Sequence, residues 1–594
     1  MSHETHATQR KHGKIAQAAC MAGCLVLSGA LVVSTIPTTA FAEASTDAPA
    51  SAPTVPSDGA GQGGPGGGTG QGGPGAGGAG GADTSTYDYT GSLSAAFIAQ
   101  GESVSESGTT YEATESGQNA VLVQDGATLT ADNLTLVKSG DDTDGDACNF
   151  YGVNSILLAV GEGSTAYLDQ SSLSASSEGS NGIFATDGAT VYAHDITIAT
   201  EAGNSRGLDA TYGGTIVASD ADIQTQGDHS AGVATDRGGG NISLTDAEIQ
   251  TAGSGSPILY STGDIEVNNI TGTSSGSQIA GMEGTNTILI NNSDLTSTIT
   301  NKTASDPVAN GVIIYQSTSG DAEASTGDAA TFQAANSSLT SSIASGSMFY
   351  LTNTTANMVL ANTDINFDST SANLITAAGN DANSWGTAGQ NGATVNVSLI
   401  GEDVSGNIEA DTISQVVAYL TDNTTWTGAT VISQNDAGQT VDNPISMNVD
   451  GTSTWVVTED CTLSNLTLAE GAQVVDAAGD TVTIVAGGSV VQEGTSDITV
   501  TVENSYSTDY DASAAPTLSD DLIDRTAFDE TYGTETSFTM NEAQDTASDQ
   551  AESTTTTQAG EQSSAQDTAT DSGSTNPVLA FFQQIGAWFS SIFW

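Results

Sequence analysis

The chain has 594 residues, with 8 Lys and Arg against 71 Asp and Glu and a formal net charge of −63. An imbalance of that size repels phosphate backbones and anionic lipid heads, which excludes nucleic-acid binding as a function class. Hydrophobic residues make up 37% and aromatic ones 5%, a composition suited to a thin, extended core.

At the N-terminus Arg10, Lys11 and Lys14 precede an apolar stretch over 15–36, and Ala40-Phe41-Ala42 places small residues where a signal peptidase reads them. The arrangement predicts a secretory signal peptide over 1–42, hence a secreted or cell-surface protein. A retained membrane helix is the alternative, because 22 residues are long enough to span a bilayer. Loss of 1–42 removes Arg10, Lys11, Lys14 and Glu4 and leaves 5 basic residues against 70 acidic ones. Residues 43–90 follow as a Gly/Pro-rich run, typified by Gly63-Gly64-Pro65-Gly66, and read as a disordered linker.

From 91 to 510 the chain repeats. Asn181-Gly182-Ile183, Arg206-Gly207-Leu208, Ala231-Gly232-Val233 and Ser256-Pro257-Ile258 open successive units 25 residues apart. Within the units an apolar or small residue, Asn or Asp two positions on and an apolar residue three later recur, as in Ala218-Ser219-Asp220-Ala221-Asp222-Ile223 and Leu360-Ala361-Asn362-Thr363-Asp364-Ile365. Period-two alternation of β-branched residues predicts short strands with one face in a core. Asn, Asp and Gly tolerate left-handed dihedrals and suit the corners between them. Three strands and their corners fill one turn of a parallel β-helix, so the fold class is all-β, a right-handed parallel β-helix solenoid. A uniform pitch of about 25 residues and a strand spacing of roughly 4.8 Å predict about 16 coils and a rod of roughly 80 Å. Cys148 and Cys461 then lie about 12 coils apart, far beyond the reach of a disulfide, and read as buried free thiols.

One insertion, 140–152, interrupts the repeat. Asp142, Asp144 and Asp146 alternate as the first three ligands of a calcium loop would, because Ca²⁺ takes several carboxylate oxygens. Gly145 is misplaced for an EF-hand, and Val153 stands where its bidentate Glu belongs. A solvated acidic loop is the other reading, and no cofactor apart from Ca²⁺ is implied.

Residues 511–576 read as an acidic, Ser/Thr-rich disordered linker. At the C-terminal end, over 577–594, Phe581, Phe582, Ile585, Trp588, Phe589, Ile592 and Phe593 recur at helical spacing after Pro577, which predicts a short amphipathic helix with an aromatic face. At about 1.5 Å per residue it reaches roughly 27 Å, better suited to lying in a membrane interface or docking on a partner than to spanning. Packing back on the rod is the alternative.

No nucleophile motif accompanies His194 or His229, the histidines beyond residue 42, and both read as exposed corner residues. The runs Asn119-Ala120-Val121-Leu122-Val123, Lys138-Ser139-Gly140-Asp141-Asp142, Asn149-Phe150-Tyr151-Gly152 and Ser453-Thr454-Trp455-Val456-Val457 together resemble the adhesin-like proteins of Gram-positive gut bacteria. The resemblance spans roughly 91–510 and implies a pectin-lyase-like right-handed β-helix with a surface or secreted binding role. The expected partners are a glycan or an extracellular protein, with no enzymatic activity. Polysaccharide lyases and hydrolases of the same fold, and a structural surface spacer, are the alternatives. Of the polygalacturonase-like motifs, Asn362-Thr363-Asp364 is present, as one copy of the corner repeat, while a Gly-His-Gly and a suitable Arg-x-Lys are missing. The chain also has no Leu-Pro-x-Thr-Gly sorting motif.

Overall fold

A computed structural model describes residues 86–142, 144–317, 322 and 329–540. The expected signal peptide, most of the 43–90 linker, and the C-terminal helix with its anchor residues lie outside the described residues.

Between Ser94–Gln100 and Thr499–Ser507 the chain is a parallel β-helix. Its longest sheet holds 13 strands in parallel register, from Ser94–Gln100 through Ile183–Thr186 to Thr430–Ser433. Inward side chains stack coil upon coil, as in Ile183, Leu208, Val233 and Leu259, all fully buried. Alternation along each strand therefore delivers a continuous core one side chain deep.

The other two faces come from long strands bent once. Thr190–Thr200 and Thr215–Thr225 each run 11 residues and bend at Asp195 (φ 50°) and Asp220 (φ 53°). Asp246, Asn292 and Asn362 take the same left-handed conformation, so the Asn/Asp of the repeat is the corner residue. A late copy of the motif behaves differently, its ladder shifting register between Leu463 and Asn465.

At another corner the amide of Ser180 donates to Ser205 Oγ at 2.9 Å, that of Ser205 to Ser230 Oγ at 2.9 Å, and that of Ser230 to Ser256 Oγ at 2.9 Å. The first two steps are 25 residues and the third 26, so Ser256 stacks on Ser230 and not on Ala231. The 236–240 loop holds the added residue, since Val233 still lies 25 residues beyond Leu208 whereas Asn241 pairs with Thr215. Later coils lengthen further, with Ser293 and Ser337 stacked at an interval of 44. Such insertions leave 13 strands in the long sheet where a uniform pitch predicts about 16 coils.

At the C-terminal end Trp426 and Trp455 stack inside the rod at 5.2 Å, each indole donating to a glycine carbonyl, Gly406 and Gly428. Beyond the last coil the first 30 residues of the expected linker are ordered: 511–540 lies along the outer flank of the bent strands and includes a helix, α2, over Thr526–Tyr532. Its acidic, Ser/Thr-rich composition misleads because the segment buries few apolar groups of its own and is held by hydrogen bonds to the rod. Phe528 and Met540 are its fully buried apolar anchors.

Candidate functional site

The outward face of the long sheet is closed over its first coils and open further on. Over the first coils Leu122, Leu158 and Phe184 point outward and are covered by Tyr87 and Leu93. Next to them sits the 140–152 insertion, which forms a helix, α1, over Gly145–Tyr151.

Asp142, Asp144 and Asp146 are committed to that helix. Asp142 Oδ1 accepts from the Asp144 amide at 3.0 Å, Asp144 Oδ1 caps the helix by accepting from the Ala147 amide at 3.2 Å, and Asp146 stands in its first turn. Among the described residues no group of three or more His, Cys, Asp or Glu side chains could hold a metal ion. The alternation that reads as calcium ligands is here an Asx turn followed by an N-cap.

The helix is fastened to the rod by the chain's scarce cations. Arg206 Nη1 donates to Asn149 Oδ1 at 2.7 Å and its Nη2 to Asp236 Oδ2 at 2.9 Å, while the Arg237 guanidinium lies 3.6 Å from the Phe150 ring centre. Beneath it Asp209 is fully buried, 3.6 Å from Arg206 Nε, and burial holds its carboxyl well above the usual range against the pull of Arg206. Lys138 is also fully buried and donates to the carbonyls of Glu115 and Gly140, with burial lowering its ammonium to about 8. Of the basic residues among the described residues, Lys302 is the exposed one. The cations are spent on internal structure, and the outer surface is left anionic.

The open part is a groove of about 530 Å³. Three successive strands, Ser347–Thr352, Asn373–Ala377 and Ile408–Asp411, bring Tyr350, Thr376 and Glu409 into one outward register column. Phe349, Ile375 and Ile408, their sequence neighbours, point into the core and hold the strands. Asn373 Nδ2 donates to Glu409 Oε2 at 2.6 Å and to Thr376 Oγ1 at 3.2 Å. Tyr350 forms the floor with Trp385, which stacks on Tyr315 at 4.3 Å, and burial pushes the Tyr350 hydroxyl up to about 12. A wall is made by Ser369, Thr370 and Ser371. At its edge Gly346 takes φ +81°, and a Cβ there would strike the Ala309 carbonyl. Glu409 is the one titratable acid in the lining, alongside hydroxyls, amides and backbone.

Asn362 is a corner residue at φ 50°, and Thr363 Oγ1 donates to the carbonyls of Ala334 and Ala361, so Asn362-Thr363-Asp364 builds a turn. Cys148 and Cys461 are buried free thiols. His229 sits at a corner, φ 54°, whereas His194 is half-buried between Asp169 and Asp220 and stacks on Tyr532 of α2 at 5.1 Å. The groove residues escape sequence reasoning because Asn373 and Glu409 lie 36 residues apart and carry no local motif.

No protein-family model matches the chain, and no curated protein matches it. Among the described residues no helix is long and apolar enough to cross a membrane.

Proposed function

We propose that the chain is a secreted or cell-surface, adhesin-like binding protein of a bacterium, non-catalytic, which holds a glycan or an extracellular protein through the outer face of its β-helix. The observation that carries the reading is the groove at Tyr350, Asn373, Thr376 and Glu409. It offers an amide, hydroxyls and a carboxylate on a rigid sheet, a donor and acceptor set suited to the vicinal hydroxyls of sugars. Hydrolysis of glycosidic bonds ordinarily needs two carboxylates across the scissile bond, and the lining supplies Glu409 alone. With no Lys, Arg or His in the lining, polyuronates and nucleic acids are disfavoured as ligands.

The sequence of 577–594 supports a contact with a membrane interface or a partner through Phe581, Phe582, Trp588 and Phe589. Weak groove contacts on many tethered copies would add through effective concentration. A glycan and matrix-protein array probed with the full chain tests the reading. Binding that Asn373→Ala and Glu409→Ala abolish without loss of fold is expected. Release of reducing ends from polysaccharide, or binding untouched by both substitutions, overturns it.

A further inference from the structure

A single register column on the outward side of the bent strands meets the 511–540 segment rung by rung. Its first members, on consecutive strands, are Tyr167, Tyr192, Val217, Ser243 and Glu266. Leu289, Gln333, Val359 and Ser398 continue it.

The segment descends this column from the far end. Ser398 Oγ donates to the Pro516 carbonyl at 2.7 Å. Gln333 uses both ends of its amide, donating to the Thr517 carbonyl at 3.0 Å and accepting from the Ser519 amide at 2.8 Å. The Glu266 carboxylate accepts from the Ile523 amide at 3.1 Å. Arg525, 2% exposed, donates to the Ser243 carbonyl at 2.9 Å, to Ser243 Oγ at 2.8 Å and to the Ala218 carbonyl at 2.9 Å. Tyr532 Oη reaches the Tyr192 carbonyl at 2.9 Å, beyond the fully buried Phe528. After Gly533 the chain doubles back, and Met540 is buried against Leu289, Ala335, Val359 and Ala361.

We propose that 511–540 is a built-in clamp that makes the coils from Thr165–Ala175 to Thr394–Ile400 open as one unit. In an unclamped solenoid each coil touches only its neighbours, so a local opening costs only local interfaces. The segment adds contacts among coils that do not touch one another, and freeing one rung strains its hold on the rest. Its polar groups also set a single register: a slip by one rung would move the Arg525 guanidinium from Ser243 toward Val217 or Glu266 and leave buried carbonyls unpaired. The inference is independent of what the groove binds.

Hydrogen exchange on the full-length chain tests it, comparing wild type with Arg525→Leu at one end of the segment and Gln333→Leu at the other. The clamp predicts that either substitution lowers amide protection across the whole span, in Thr190–Thr200 and Thr355–Ala361 alike, while Thr128–Asp132 and Thr454–Val457 keep theirs. Loss confined to strands touching the altered residue overturns the proposal, and so does equal loss inside and outside the span. If Arg525→Leu does not fold, Ser398→Ala, which leaves the buried cation in place, is read with Gln333→Leu in the same way.

Discussion

Arg525 Nη2 donates to the backbone carbonyl of Ala218 at 2.9 Å across 307 residues of sequence. The guanidinium closes a buried polar pocket made by Ser243, Thr245 and Thr536, and burial lowers it to about 10. In so acidic a chain, one of its few cations holds the C-terminal segment to the rod.

Replacing Arg525 with Ala strands the carbonyls of Ala218 and Ser243 in a water-poor site. A loss of about 2–4 kcal/mol is expected, since each orphaned buried acceptor costs about 1–3 kcal/mol. Urea unfolding of the full chain followed by far-UV circular dichroism measures it.

Stability falls as pH rises. Burial raises the carboxyls of Glu402, Glu266 and Asp306 to about 8, 7 and 6. Their ordinary values lie near 4, so the folded chain holds protons that the unfolded chain releases. That contribution is full below about pH 4 and is lost as pH climbs through the 6 to 8 window. Relief of repulsion among the many surface carboxylates acts in the same direction as pH falls. Denaturation midpoints at pH 5 and pH 8 test the slope. Glu402→Gln, which keeps an acceptor for the Thr363 amide at 2.8 Å, is expected to flatten it.

Trp455→Ala opens a cavity beside Trp426 in the core of the rod and removes a fully buried ring. Such truncations cost about 3–5 kcal/mol. The expected outcome is a lower thermal midpoint, with Trp426 fluorescence shifted to the red as water enters, measured against the wild-type emission maximum.

Ser205→Ala breaks the corner ladder in its middle. Ser205 Oγ accepts from the Ser180 amide and donates to the Ser177 carbonyl, and the alanine leaves both without that partner. About 1–3 kcal/mol is expected to be lost. Ser205→Thr keeps the hydroxyl and is expected to recover part of it, read from the same denaturation curves.

The strands, their inward faces and their corners were legible in the sequence, because each depends on residues two to five positions apart. Alternation around Ile196 and Ile198 places them in the core, and Asp195 or Asp220 turns the chain. What stacks on what is a different matter, since lateral neighbours in a coil stack lie a whole coil apart and coil length drifts from 25 to 26 to 44 residues. The Asp142 to Asp146 alternation, equally at home in an ion site and a helix cap, took its meaning from α1 and its seat under Arg206. Only tertiary structure could bring Asn373 to Glu409 across a groove or lay 511–540 over nine rungs of the rod. Side chains that read as solvent-facing become buried when a distant segment crosses them, and no local pattern records that crossing.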